Sequence, residues 1–141
     1  SRVMSDQNSW GKINLGAVTN DLPAAGFYTA TISDAVVHDK FPVALWLSVS
    51  FTLEDRPGVI VKDMACIMAD PTGPHATRVA EGRRFLNRLA TATGVSLDGV
   101  DPDDIPGLLI GKRITVTVFH KQRDGVPELA VRSIGPAPRD Q

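Results

Sequence analysis

Leu45-Trp46-Leu47-Ser48-Val49-Ser50-Phe51-Thr52-Leu53 is the stretch on which the fold turns. Leu45, Leu47, Val49, Phe51 and Leu53 fall on one side of an extended chain, and Trp46, Ser48, Ser50 and Thr52 on the other, because strand side chains alternate with a period of two. One face belongs to a core; the other carries one large aromatic among small hydroxyls. Downstream, Arg56-Pro57-Gly58 is a turn signal, and Val59 to about Cys66 is rich in residues that suit a pleated surface. Upstream, Tyr28, Ala30, Ile32 and Ala35 alternate with Thr29, Thr31 and Ser33, with room for a bulge, and His38-Asp39-Lys40-Phe41-Pro42 reads as a loop. These three strands form a meander.

Past the breaker cluster Pro71 to Pro74 the period lengthens. Val79, Gly82, Leu86 and Leu89, with Phe85 beside them, share one face of a helix running from about His75 to Thr93, while Arg84 and Arg88 lie one turn apart elsewhere on it. Gly94 is placed to end that helix. Asp98 to Pro106 is acidic and turn-rich, and Ile105 to Ile110 suits a short helical turn. Lys112 to about Lys121 is a fourth strand, with Ile114, Val116 and Val118 opposite Thr115, Thr117 and Phe119. The Asp124-Gly125 pair then marks a hairpin into a fifth strand, Val126 to about Ile134.

Three strands, a helix and two strands is the element order of the OB-fold, a five-stranded Greek-key barrel with its long helix between strands three and four. A chain of 141 residues holds one such domain. The expected division is a flexible N-terminal segment over 1–21, an OB-fold domain over 22–135 and a loose C-terminal tail over 136–141. Met4 reads as a natural start, so Ser1 to Val3 are set aside. No apolar run approaches the ~18 residues of a membrane-spanning helix, and no charged-then-apolar leader opens the chain, so the expectation is a cytoplasmic protein with no membrane partner. The single cysteine, Cys66, has no internal disulfide partner, which fits a reducing compartment. Formal net charge is -1, so any attraction to a polyanion has to come from local placement of charge.

The run Leu22-Pro23-Ala24-Ala25-Gly26-Phe27-Tyr28-Thr29-Ala30-Thr31-Ile32-Ser33-Asp34-Ala35 resembles the opening strand of a bacteriophage-encoded family long catalogued as a domain of unknown function. That family is associated with single-stranded-DNA-binding proteins of OB type. Similar too are a helix with Arg83-Arg84-Phe85-Leu86 and Leu89, then Thr93-Gly94-Val95, an acidic stretch with Leu108-Leu109 and Gly111-Lys112, and a closing hairpin near Gly135-Pro136-Ala137. The resemblance spans roughly Leu22 to Ala137. It implies a phage replication or recombination protein that coats exposed single strands, in the host cytoplasm if phage-encoded. A second copy of the chain and replication or recombination proteins are candidate further partners, and the sequence does not fix the oligomeric state.

Single-strand binders combine cations for phosphates with aromatic faces for bases, each stacked base being worth ~1 to 3 kcal/mol. Trp46 and Phe119 are the aromatics on strand faces opposite the core, and Phe41 lies in the loop after the first strand. Between Lys112 and Ile134 stand five basic residues against Asp124 and Glu128, so the second half of the barrel is locally basic. Lys40, Lys62, Lys121, Arg123 and Arg132 are the expected phosphate contacts, whereas Arg83 suits a solvated helix face.

Asp98, Asp101, Asp103 and Asp104 are hard oxygen ligands, yet Pro102 and the lack of a closing glutamate break the pattern of a calcium loop. Helix capping by Asp103 or Asp104 is the expected use. His38, His75 and His120 are the only histidines, and none stands beside a nucleophile in a recognisable elbow. The expectation is a protein that is not an enzyme and takes no cofactor and no metal. The competing reading is a non-catalytic protein-interaction or assembly module on an OB-like barrel, pairing its edge strands or aromatic face with another protein.

Overall fold

The computed structural model describes residues 22–40 and 43–139. Five antiparallel strands make one sheet: β1 (Gly26–Lys40), β2 (Ala44–Leu53), β3 (Ile60–Ala69), β4 (Arg113–Arg123) and β5 (Val126–Pro136). Between β3 and β4 come a 3-10 turn (Ala76–Arg78), the long helix α1 (Val79–Thr93) and a short helix α2 (Ile105–Leu109). The expected order of three strands, helix and two strands is present. The segment 1–21, Phe41 and Pro42 lie outside the described residues.

Spatial order is β3-β2-β1-β4-β5, with the longest strand central. A bulge between Ile32 and Asp34 divides β1: its first part pairs with β4, from Gly26 opposite Val118 to Thr31 opposite Arg113, and its second part continues with β2 to Lys40 opposite Ala44. The bulge re-aims the strand, since one extra residue locally increases bend and twist. It also extends the strand beyond expectation. His38, Asp39 and Lys40, read as loop from their polarity, are the last rungs of the β1–β2 ladder, because Ala44 to Trp46 supply the backbone partners that a local reading cannot see.

The core lies on the concave side of the sheet. Ala30, Ile32, Leu47, Val49, Phe51, Leu53, Ile114, Val116 and Val118 are sealed from solvent, and Phe85 and Leu89 of α1 and Ile105 and Leu109 of α2 close over them. No ladder joins β3 to β5 among the described residues, so the sheet is open along that seam. The helix α1 packs against both β3 and β5, crossing the gap with its apolar face inward. Gly94 ends it in a left-handed conformation, φ 77°, with its N–H donated to the Ala90 carbonyl.

The acidic connection is capped by Asp101, whose carboxylate accepts the N–H of Asp103, rather than by Asp103 or Asp104 as the sequence suggested. Pro102 explains this: it has no N–H and suits the first position of the turn, which puts the cap on the residue just before it. At the β4–β5 hairpin Asp124 (φ 53°) and Gly125 (φ 79°) both take positive φ, the requirement of a type I′ turn.

Helix and sheet meet at Gly82. A Cβ there would lie 1.7 Å from the Cys66 carbonyl oxygen, closer than any real contact, so only glycine lets the α1 backbone touch β3. Gly82→Ala is expected to lower unfolding free energy by about 3 kcal/mol, the upper end of what overpacking costs. Urea denaturation checks this; a midpoint within error of wild type would mean that the helix does not sit against Cys66.

Candidate nucleic-acid interface

The convex face of β1, β2 and β3 follows from the register. His38, Trp46 and Cys66 form one row, Val36, Ser48 and Met64 the next, then Asp34, Ser50 and Lys62, and finally Thr31, Thr52 and Ile60. Alternation that buries Leu47, Val49 and Phe51 puts Trp46, Ser48, Ser50 and Thr52 on the opposite face, where Trp46, Ser48 and Thr52 are half-buried and Ser50 and Cys66 are themselves buried. Val36, Met64 and Ile60 are 40%, 44% and 55% exposed, so this face offers apolar contact area as well as hydroxyls. Those three residues escaped the sequence reading because their shared face depends on a register set by residues far apart in the chain.

Trp46 stands half-buried at one end of this face. Its ring meets that of His75 edge-on, with centroids 5.7 Å apart and planes at 87°. His75 belongs to the connection leading into α1, so the helix approach covers part of the indole, and the arrangement is a favoured one for aromatic pairs. Phe119 is also half-buried, on β4 opposite Ala130 of β5. The Arg132 guanidinium lies 4.5 Å from the centre of its ring, a cation-π pair that already occupies one side of the phenyl.

Trp46 and Phe119 do not share a row. Nearly the whole length of β1, from Gly26 beside Val118 to His38 beside Trp46, separates them along the sheet. A groove at the β3–β5 seam lies apart from both rings. Lys62 and Ile60 of β3 line this groove of about 420 Å³ with Arg123, Pro127, Glu128 and Leu129, so the β4–β5 hairpin lies beside the convex face. Lys62, Lys121 and Arg123 gather around Glu128, whose carboxylate is 4.0 Å from the Lys121 ammonium and 3.9 Å from the Arg123 guanidinium. Exposed pairs at such distances are worth little in high dielectric, so both cations remain open to exchange their partner for a phosphate. Lys40 ends β1 in register with Ala44, at the Trp46 end of the face. Phe41 lies outside the described residues.

Arg113, by contrast, is committed. Its guanidinium grips both carboxylate oxygens of Glu54, with Nη2 3.1 Å from Oε1, tying the start of β4 to the end of β2. The Arg113 hydrogen bonds hold the Glu54 carboxyl below its ordinary range. His120 Nε2 lies 2.6 Å from the Pro23 carbonyl oxygen, fixing the entry into β1 against β4.

Asp63 is a carboxylate that the sequence did not single out; it lines a separate cleft between β3 and α1. Loss of solvent raises its pKa, opposed by the Met64 N–H that it accepts at 2.9 Å and by the positive charges of Arg88 and Lys121. A raised folded-state value means that this group contributes stability fully present below the unfolded value of 3.8 and lost as pH rises through the folded one. Asp63→Asn is therefore expected to raise Tm at pH 7, with the gain over wild type shrinking as pH falls toward 3.8. A melting series from pH 3 to 8 checks the sign; a variant less stable at neutral pH would show that the attraction of Arg88 and Lys121 outweighs burial.

No protein-family model matches this chain, and no similar sequence was found among curated proteins.

Proposed function

We propose that this is a non-catalytic single-stranded-DNA-binding protein, largely indifferent to sequence, built as an OB-type barrel whose last closure is made by side chains and α1 instead of a ladder. The strand order supports the barrel reading, since it is that of a five-stranded Greek-key barrel parted between its third and fifth strands, and OB barrels are partly open. The family resemblance supports the same reading and suggests a role in phage DNA replication or recombination, in the cytoplasm of a host cell.

The observation that carries the proposal is the gathering of Lys62, Lys121 and Arg123 around the β3–β5 seam, with Trp46 and the hydroxyls of β2 on the adjoining strand face and the Phe119–Arg132 pair on β4 and β5. Strands two and three and the loops beside them are where OB barrels take up oligonucleotides. The net charge of -1 gives such a protein little bulk attraction for DNA, so contacts must be few and local. Bases contribute by lying on aromatic rings and apolar side chains, phosphates by displacing counterions from the seam cations.

A second reading, an assembly module, draws support from the edges of β3 and β5, which pair with no further strand among the described residues, and from the exposed Val36, Met64 and Ile60, which a partner chain could cover.

Titrating oligothymidylate into a Trp10→Phe variant, which leaves Trp46 as the only indole, separates the two. Single-strand binding is expected to quench Trp46 emission, with a log-log salt slope of about -2 to -3.5 if roughly three to five phosphates are neutralised at ~0.7 each. Flat emission and flat anisotropy at low salt, with a mass that climbs with protein concentration, would favour assembly.

A further inference from the structure

We infer that a bound single strand continues from β3 onto α1, where Arg84 and Arg88 take its phosphates; this rests on the single-strand reading above. The two arginines are four residues apart, so they stand on one side of the helix about one turn, ~5.4 Å, from each other. Both are exposed, and no ion pair among the described residues engages either guanidinium. With Met64 of β3 they line a cleft of about 250 Å³. Met64 also belongs to the convex face, on the same side of β3 as Lys62, so the cleft opens onto the surface already assigned to the strand. Arg88 of α1 and Lys121 of β4 both lower the Asp63 pKa by their charge, against the larger effect of burial.

The cleft is not a trap for free anions. Asp63 and Glu81 line it too, and their charges offset those of Arg84 and Arg88. A phosphodiester already tethered by contacts on the sheet arrives at high effective concentration, so a balanced cleft that ignores inorganic phosphate still adds to the binding of a long strand. Arg83 supplies an internal control. It sits on the same helix with the same charge but lines a different groove, with Leu86, Asn87, Ser96 and Asp98.

The test compares fluorescein-labelled oligothymidylates of about 6 and about 20 nucleotides by anisotropy, within the ~4 to 16 nucleotide range of one OB fold and beyond it. In the Arg84→Ala/Arg88→Ala double variant, affinity for the longer strand is expected to fall about tenfold and its salt slope to flatten by about 1.4, two contacts at ~0.7 each. The shorter strand is expected to bind within twofold of wild type, Arg83→Ala to bind both as wild type does, and millimolar inorganic phosphate not to compete. Circular dichroism melting reports whether the double variant folds; if it does not, Arg84→Gln and Arg88→Gln singly are each expected to flatten the slope by about half as much. An unchanged slope on the longer strand, with both lengths bound by wild type, overturns the helix path and leaves the sheet site standing. Equal losses on both lengths, or a loss of the same size in Arg83→Ala, also overturn it. Failure of wild type to bind either length overturns the single-strand reading itself.

Discussion

A helix backbone pressed against a strand is the contact from which the rest of the arrangement follows. Gly82 has no side chain, and the Cys66 carbonyl occupies the room that one would need. Because α1 can lie that close, Phe85 and Leu89 reach the centre of the sheet, and the helix spans the gap where β3 and β5 make no ladder. The same seat decides which faces of the helix are left over. Arg84 and Arg88 are turned toward β3, Arg83 toward the groove beside Asp98, and the connection that precedes the helix sets His75 against Trp46. One missing methyl group thus orders a core, covers a seam and arranges the charges beside it.

The balance of charge along the seam is instructive. Lys121 and Arg123 share Glu128, Arg88 and Lys121 both act on Asp63, and Arg132 rests on Phe119. Cations held this way are placed without being consumed, since exposed ion pairs are weak and readily exchanged. Arg113 shows the other use of the same side chain, forked onto Glu54 where it fastens two strands together. A nearly neutral protein can therefore present positive charge along one line and leave the remainder of its surface unremarkable to a polyanion.

Much of the fold was legible in the sequence because it is written in local periods. The alternation of Leu45 to Leu53 located β2 and its inward face, the Asp-Gly pair located the last hairpin, and the 3.6-residue spacing from Val79 to Leu89 located α1. What stayed hidden is what depends on partners distant in the chain. His38 to Lys40 extend β1 only because β2 is there to pair with them. The contact of Trp46 with His75, and that of Arg132 with Phe119, cannot be read from either stretch alone. Trp46 and Phe119 each oppose a core stripe, as their strands' alternation indicated, yet β1 holds them at opposite ends of the sheet, a separation that only the register reveals.

The unlatched seam also governs where the molecule yields. Every other strand boundary is crossed by a ladder of backbone hydrogen bonds, whereas β3 and β5 are kept together by side chains and by the helix laid over them. Among the described residues no ladder hydrogen bond crosses that boundary, so the smallest excursions from the folded state run in that direction. Amide protection then grades from the central strand, paired on both sides, down to the two outer strands, and the groove between them acts as the compliant joint of an otherwise tightly knit sheet.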